Sequence, residues 1–312
     1  MSLVLDLIRN RCRQPDEAVM RLPAVLVQPG TSAVVFDSPH SGTCYPSDFR
    51  HVCDPCELRR AEDTHVEKLF DFAPALGIAW IEATFPRSYV DVNRSEHEID
   101  PDMIEGGWPH PLPADPEQWR KVRLGKGLIW KLTDDGQPLY DHRLKVAEVM
   151  WRIQRCWLPY HTALQQAIEQ AHERHGRVIH VNCHSMPSVA ASHATEHPGA
   201  HHPDFVLGDR DGSTAAGALA RRLAEFLHSS GYSVAVNHPY KGVELVRRYS
   251  DPLRGRHSLQ LEINRRLYMD EGTLDLHEGS EPLKRDLRRM AEMVLEWSQE
   301  AAFGPGGLTT GG

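Results

Sequence analysis

Apolar and polar positions alternate along the chain with two different periodicities. Short apolar runs rich in β-branched residues predict buried strands. These runs lie at 33–42, 177–184, 232–237 and 257–264. Apolar residues spaced three to four positions apart predict helices. The helical stretches lie at 57–72, 144–175 (with a break expected at Pro159), 213–230 and 283–302. Strands separated by helices favour an α/β fold with a mixed, mostly parallel central sheet and helices on both faces.

Two stretches depart from this alternation. Residues 77–94 contain two β-rich pieces, which the Phe85-Pro86 dipeptide divides. Residues 95–143 are rich in Pro, Gly and Trp and show little periodicity, so we expect an irregular insertion over the body of the domain, where such excursions often cover sites. We therefore expect a single α/β domain over 1–303 and a flexible glycine-rich tail at 304–312.

The composition narrows the class of partner. Of 312 residues, 40% are hydrophobic and 25% are charged, which is enough apolar material for a sizeable core. Lysine and arginine total 35 against 43 aspartate and glutamate, a formal net charge of -8, and the chain has no basic run. Phosphate binding needs clustered Lys and Arg, so nucleic acid is excluded as the main partner and we expect a small molecule.

Sequence features also indicate a location. No stretch approaches the roughly 18 continuous apolar residues that span a bilayer, and the N-terminus becomes charged too early for a signal peptide. Six sparse cysteines favour reduced thiols in a cytoplasm over a disulfide framework. Cys53 and Cys56 have the CxxC spacing without a second pair, which favours two ordinary thiols over a redox or zinc motif. The sequence does not indicate an oligomeric state.

Two histidines stand at the ends of separate predicted strands, His40 in PHSG and His184 in CHSM. Because functional groups gather at the carboxyl ends of parallel strands, we expect these side chains to converge. Neutral imidazole suits zinc, and a catalytic zinc site needs a third ligand and an open position for water. A carboxylate from the helix at 57–72 is the favoured third ligand, and either Glu62 or Asp63 could face inward.

Charged residues near other strand ends add two kinds of chemistry. Glu262 lies in the otherwise apolar strand LQLEIN, either as an outward-facing residue of an alternating strand or as a carboxylate directed into the site. In the second case burial would raise its pKa and suit it to proton transfer. Arg87, Arg94 and Arg265 could bind a carboxylate substrate, because guanidinium groups match carboxylates bidentately. Together they predict an anion-binding pocket in an acidic protein.

Seven sequence blocks in a fixed order resemble the N-formylglutamate amidohydrolase (N-formylglutamate deformylase) family. They run from about residue 34 to 271, so the resemblance covers most of the chain. The blocks are SPHSGTCYP (38–46), EDTHVEKLFD (62–71), PRSYVDVNR (86–94), NCHSMPS (182–188), GDRDG (208–212), NHPYKG (237–242) and LQLEINRRLYMDE (259–271).

The resemblance implies a zinc-dependent hydrolase, or one using another divalent metal, with a fold similar to zinc carboxypeptidases and aspartoacylases. Its reaction would convert N-formyl-L-glutamate to formate and L-glutamate in histidine degradation. By resemblance, the metal ligands are His40, Asp63 and His184, the general base is Glu262, and the substrate-binding residues are Arg87, Asn93, Arg94 and Arg265. The chain departs from the compact His-x-x-Glu ligand pair of the carboxypeptidases, because position 43 is Thr.

Three other functions stay open at this point. The first is a related deacylase or carboxypeptidase-like hydrolase acting on another N-acyl amino acid or a peptide. The second is a binding protein that captures an acidic metabolite in the arginine pocket without turnover. The third is a structural or redox module built around Cys53 and Cys56.

Overall fold

A computed structural model describes residues 23–190 and 198–300 of the chain. The predictions made for the N-terminus and for the tail at 304–312 concern residues outside these ranges. Within them, the helices and strands are formed largely by the stretches whose periodicity predicts them.

The described residues form a seven-stranded sheet with the strand order β1-β3-β2-β4-β7-β5-β6. Its strands are β1 (Val25–Gln28), β2 (Val34–Ser38), β3 (Ala79–Ala83), β4 (Val178–Met186), β5 (Phe205–Gly208), β6 (Val234–Val236) and β7 (Arg256–Asn264). The pairs β2–β4, β4–β7 and β5–β6 are parallel, whereas β5–β7 is antiparallel. The mixed, mostly parallel α/β sheet that the sequence predicts is therefore confirmed.

Strand prediction succeeds where the apolar runs are long. All residues of β2 and β4 are buried, as expected for strands covered on both faces. Strands β1 and β5, of four residues each, were not predicted, whereas the three-residue strand β6 lies within the predicted run 232–237. The second β-rich piece of 77–94 is not a strand. After Pro86 the chain turns, and the Asp91 carboxylate accepts a hydrogen bond from the amide of Asn93, a local bond that replaces strand pairing.

Eight α-helices of the described residues are interspersed with these strands along the chain. They are α1 (Pro55–Arg60), α2 (Val66–Leu69), α3 (Pro116–Arg123), α4 (Val146–Arg152), α5 (Leu158–His175), α6 (Gly217–Ser229), α7 (Glu244–Tyr249) and α8 (Ser280–Gln299). Across the described ranges, the helices are too short or too polar for any of them to cross a lipid bilayer.

The prediction of a single helix at 57–72 is wrong. The structure has two short helices, α1 and α2, with a non-helical segment between them. His65 adopts a left-handed φ of 69°, which ends helical geometry, and the amide of Asp63 donates to the carbonyl of His40 instead of to a helix carbonyl. Glu62 and Asp63 therefore lie in a loop, where neighbouring side chains can point in different directions.

The helix predicted at 144–175, with a kink or break at Pro159, is irregular near that proline but has no non-helical gap. Between α4 and α5, residues Ile153–Trp157 form a turn of π-helix. Proline has no amide hydrogen for the helical ladder, and Pro159 lies in the first turn of α5, directly after the widened turn.

Contacts between Cα atoms divide the chain into two units. Among the described residues, one unit contains 23–26, Ser38–Glu67 and Ile81–Ala163, and the other contains Val27–Asp37, Lys68–Trp80, 164–190 and 198–300. The predicted insertion at 95–143 belongs to the first unit. It contains α3 and contributes the buried residues Leu128 and Trp130, so it carries part of the core of that unit.

The cysteines behave in two ways. Cys53, Cys56, Cys156 and Cys183 are free, as predicted, but Cys44 is disulfide-bonded, which corrects the expectation of reduced thiols throughout. Cys56 is exposed near the start of α1, where its amide donates to the capping carboxylate of Asp54. Partial burial raises the pKa of Cys53, so its thiol is less reactive than an ordinary one.

Gly42 provides a test of packing beside His40. A Cβ atom added to Gly42 would lie 2.4 Å from the carbonyl oxygen of Phe85. We expect Gly42→Ala to lower the free energy of unfolding by about 1–3 kcal/mol, because the backbone must move apart. Urea denaturation measures this loss. Gly217→Ala in the first turn of α6 is the control, since its Cβ would meet only the Arg221 side chain at 3.6 Å. An equal loss in both variants would contradict the packing argument.

Candidate active site

Three buried donors come together in the structure. His40 follows β2, Asp63 lies in the loop after α1, and His184 lies in β4. One ligand atom from each of these side chains lies within 4.8 Å of the other two. Their exposed fractions are 1%, 1% and 3%. The convergence expected from the strand ends is thus present in the structure, and the role of these residues as metal ligands stays a prediction.

The chemistry of this donor set fits a divalent metal. Two imidazoles and one carboxylate are ligands that zinc accepts, and three protein ligands leave a fourth position for water or substrate. Burial favours the metal further, because a divalent cation would compensate the charge of a carboxylate held away from water. Zinc is the metal that this donor set suits best, although the donor types also accept other divalent ions.

Asp91 orients the imidazole of His40. The Nε2 atom of His40 lies 2.7 Å from Oδ1 of Asp91, whose side chain is fully buried. A carboxylate bonded to one ring nitrogen fixes the tautomer and directs the other nitrogen toward a metal. That other atom, Nδ1, lies 3.5 Å from Oδ2 of Asp63. Sequence analysis quoted Asp91 within the block PRSYVDVNR but assigned it no role.

The remaining donors around Asp91 hold it as an anion. Its Oδ2 atom accepts hydrogen bonds from Nη2 of Arg87 at 3.1 Å and from the indole nitrogen of Trp130 at 3.2 Å. Burial alone would raise the pKa of Asp91, but the neighbouring His40, Arg87 and Arg94 hold that pKa well below its usual range. Asp91 therefore stays charged and keeps orienting His40 at any pH near neutrality.

Arg87 links Asp91 to Asp63. Its Nη1 atom lies 3.5 Å from Oδ1 of Asp63, and its guanidinium lies 5.0 Å from the centre of the Trp130 ring. Burial alone would lower the pKa of Arg87, but the Asp91 and Asp63 carboxylates raise it above the ordinary value. The predicted substrate-binding arginine thus also stabilises two buried carboxylates next to His40.

The open choice between Glu62 and Asp63 has a structural answer. Asp63 lies with the two histidines, whereas the Glu62 carboxylate accepts hydrogen bonds from the hydroxyl of Tyr45 and from Nε of Arg59. Burial, with a smaller effect of Arg59 in the opposite direction, raises the pKa of Glu62 to about 8. Glu62 is therefore engaged with α1 and Tyr45, and Asp63 is the carboxylate available to a metal.

Glu262 lies on the strand next to His184. The two residues are register partners in the parallel pair β4–β7, so their side chains are neighbours on the sheet. Glu262 is 7% exposed, and its Oε1 atom accepts a hydrogen bond of 2.7 Å from the side-chain amide of Gln260. The Gln260 amide therefore holds the Glu262 carboxylate in one orientation beside His184.

The other predicted substrate-binding residues have different anchors. Arg94 donates to the carbonyls of Asn93 and Lys126, and both Asn93 and Arg94 are buried. Arg265 follows β7 directly and donates to the hydroxyl of Ser185 at 3.2 Å. Each guanidinium is therefore held in one orientation by the protein, which is the preorganisation that carboxylate binding needs.

The insertion adds two cations that sequence analysis missed. The ammonium of Lys126 lies 3.7 Å from the centre of the Trp130 ring and 2.8 Å from Asp134. Burial and the nearby Arg94 lower the pKa of Lys121 to about 8. Because no periodicity marks this part of the chain, only the folded structure shows that these lysines lie near the predicted arginines.

These features define a class of protein. The α/β sheet, the buried His–Asp–His donor set and the carboxylate of Glu262 on the adjacent strand form the type of site that metal-dependent hydrolases use. Comparison with known proteins identifies the family. Residues 32–269 match the model of the N-formylglutamate amidohydrolase family. The chain therefore belongs to this family, which confirms the resemblance seen in the seven sequence blocks.

Individual relatives cover most of the chain. An N-formylglutamate deformylase from Pseudomonas aeruginosa is 27% identical over 277 residues, which are 87% of this chain and 96% of that protein. A crystal structure of an N-formylglutamate amidohydrolase from Ralstonia eutropha JMP134 is 44% identical, with a TM-score of 0.84 over 89% of this chain and 99% of that one. The gene product Atu2144 from Agrobacterium tumefaciens, 17% identical with a TM-score of 0.60 over 91% of this chain and 99% of that one, shares the fold.

The contact between Asp91 and His40 generates a prediction. Asp91→Asn keeps the shape of the side chain but removes the charge that orients the imidazole, so we expect divalent metal binding to weaken about 10- to 100-fold. Competition with a chelating indicator measures this affinity. Asp204→Asn is a control, because it removes a buried carboxylate that bonds to Ser233 and Arg266. Unchanged metal affinity in Asp91→Asn would rule out the orienting role.

The raised pKa of Glu62 generates a prediction about stability. A carboxyl group with a folded pKa of about 8 and an ordinary value of 4.5 takes up a proton on folding, so its contribution to stability falls as the pH rises between these values. Glu62→Gln is neutral throughout. We expect it to match the parent protein near pH 4.5 and to melt at a higher temperature near pH 9. Identical melting curves at pH 9 would contradict this.

Proposed function

We propose that this protein hydrolyses N-formyl-L-glutamate to formate and L-glutamate at a divalent metal, zinc being the ion that the site suits best. The observation that carries the proposal is the convergence of His40, Asp63 and His184, with Glu262 beside His184. The names of the Pseudomonas and Ralstonia relatives support N-formylglutamate as the substrate. The same proposal places the reaction in histidine degradation in the cytoplasm.

Amide hydrolysis at this site needs a nucleophile, a proton carrier and a binding group for the substrate. Held by His40, Asp63 and His184, a zinc ion would supply a water of lowered pKa and a Lewis acid for the formyl carbonyl. The Glu262 carboxylate accepts a proton from the attacking water while the water oxygen bonds to the formyl carbon. Glu262 then delivers that proton to the glutamate nitrogen as the carbon–nitrogen bond breaks. Gln260 keeps Glu262 oriented through this transfer.

The basic residues explain selection of a dianionic substrate. N-formylglutamate carries two carboxylates, and Arg87, Asn93, Arg94 and Arg265 are the residues we assign to their recognition. Arg87 and Arg94 are held by protein contacts before substrate arrives, so little side-chain entropy is lost on binding. An N-acyl amino acid with a neutral side chain carries only one carboxylate and would leave part of this positive charge uncompensated, so we expect it to be a poorer substrate.

Formate release from N-formylglutamate tests the proposal. The purified protein should contain about one equivalent of divalent metal, lose turnover after chelation and regain it when zinc is restored. Glu262→Gln should retain the metal and lose at least about 100-fold in kcat, the range for removal of a general base. Glu244→Gln is the matched control, because Glu244 is an equally buried glutamate that pairs with Arg247 and Arg248 on α7.

The outcomes separate the competing functions. Faster turnover of N-acetyl or N-carbamoyl amino acids than of N-formylglutamate would favour a related deacylase. Tight binding of N-formylglutamate with no turnover in the metal-loaded protein would favour the binding protein. Full activity in Glu262→Gln would remove this residue from the mechanism. Retained turnover in a Cys53→Ser, Cys56→Ser double variant would exclude the redox module.

A further inference from the structure

A row of polar side chains lies in the most buried part of the sheet. His180, Asn182 and His184 alternate along β4, and alternate residues of a strand point to the same face. Asp37 on β2 is the register partner of Asn182, and Ser258 on β7 is the register partner of His180. These five residues therefore share one face over three adjacent strands, where an apolar core would be the ordinary composition.

Hydrogen bonds join this row into one continuous chain. Nε2 of His184 lies 2.6 Å from Oδ1 of Asn182, and the Asn182 amide nitrogen lies 2.8 Å from Oδ1 of Asp37. The same Asp37 oxygen lies 2.9 Å from Nε2 of His180. Nδ1 of His180 lies 2.6 Å from the hydroxyl of Ser258. We call this chain the buried relay.

The donors and acceptors of the buried relay match in one consistent assignment. His184 donates from Nε2 to the Asn182 oxygen, and the Asn182 amide donates to the Asp37 carboxylate. His180 donates to the same carboxylate and accepts from the hydroxyl of Ser258. In this assignment both histidines are neutral, and the proton of His184 is on Nε2, so its lone pair is on Nδ1.

The part of the buried relay around His180 has the connectivity of a Ser–His–Asp triad, with Ser258 in the place of the nucleophile. A nucleophile must reach its substrate. Ser258, His180 and Asp37 each have an exposed fraction of 0%, so no substrate can contact them. Nucleophilic catalysis is therefore excluded for these residues, and the effect of the relay must be exerted at its other end, on His184.

We propose that Asp37 is a positioning residue for His184 and acts through the side-chain amide of Asn182. His180 and Ser258 hold Asp37 in place from the opposite side. This inference rests on the proposed function, because it takes His184 as a metal ligand. It assigns to Asp37 the task that Asp91 performs by direct contact with His40.

Two physical effects connect Asp37 to metal binding at His184. The Asn182 amide can accept from His184 only when its nitrogen faces Asp37, so the carboxylate selects the amide orientation and thereby the tautomer of His184. A chain of hydrogen bonds that ends on an anion is also polarised toward that anion, which increases the electron density that the far ring nitrogen of His184 can donate to a metal. Both effects strengthen a metal bond at Nδ1.

Removing the charge of Asp37 tests the proposal. We expect Asp37→Asn to weaken zinc binding about 10- to 100-fold in competition with a chelating indicator, the range for second-shell substitutions at metal sites. The control is again Asp204→Asn, which removes a buried carboxylate that has no part in the relay. We expect that variant to lower the melting temperature and leave zinc affinity unchanged.

A double variant separates positioning from a merely structural role. Asp37→Asn combined with Asn182→Asp exchanges the two side chains and places the carboxylate directly against Nε2 of His184. We expect zinc affinity to recover to within about threefold of the parent protein, although the buried relay has been altered at two positions. If Asp37 had a merely structural role, the two substitutions would lower zinc affinity additively in the double variant.

The outcomes distinguish failure of this inference from failure of the proposed function. If the parent protein binds zinc, His184→Ala loses it and Asp37→Asn retains parental affinity, the positioning role of Asp37 is wrong. Additive loss in the double variant also overturns it. If the parent protein and His184→Ala bind zinc equally weakly, the metal site itself is wrong. If Asp37→Asn does not fold, recovery or loss of zinc binding in the folded double variant still decides the question.

Discussion

The site depends on the burial of Asp91 and on the donors that compensate its charge. A carboxylate removed from water stays ionised only when other groups replace its hydration. His40, Arg87, Trp130 and the amide of Asn93 do so here. Because one carboxylate receives both the imidazole of His40 and the guanidinium of Arg87, a single buried charge positions a proposed metal ligand and a proposed substrate-binding group together.

The two proposed histidine ligands are supported in different ways. His40 bonds directly to Asp91, whereas His184 bonds to the Asn182 amide, which bonds in turn to Asp37. Both paths end on an aspartate with an exposed fraction of 0%. This difference has a cause in the sheet. Asp37 on β2 is the register partner of Asn182, which lies one same-face position before His184 on β4, so Asp37 contacts the Asn182 amide and His184 receives its effect through that amide.

The insertion at 95–143 is part of the structure around Asp91. The amide of Asp91 donates to the carbonyl of Leu128, and Trp130 donates to the Asp91 carboxylate. The conformation of the insertion is fixed by such contacts and not by a repeating pattern of apolar residues. The sequence therefore predicted only an irregular excursion. Long apolar segments were predictable for the opposite reason: every residue of β4 is buried, so burial itself produces the sequence pattern.

The sequence by itself determined the chemistry available to the protein: two histidines at strand ends, a glutamate in an apolar strand and arginines near both, in seven ordered blocks. Only the tertiary structure shows that Asp63, and not Glu62, lies with the two histidines, because a break after α1 turns these neighbours in different directions. It also brings Asp91 to His40 and Asp37 to Asn182, across sequence separations of 51 and 145 residues. Contacts at such separations follow from strand register and loop path, and no local pattern of residues encodes them.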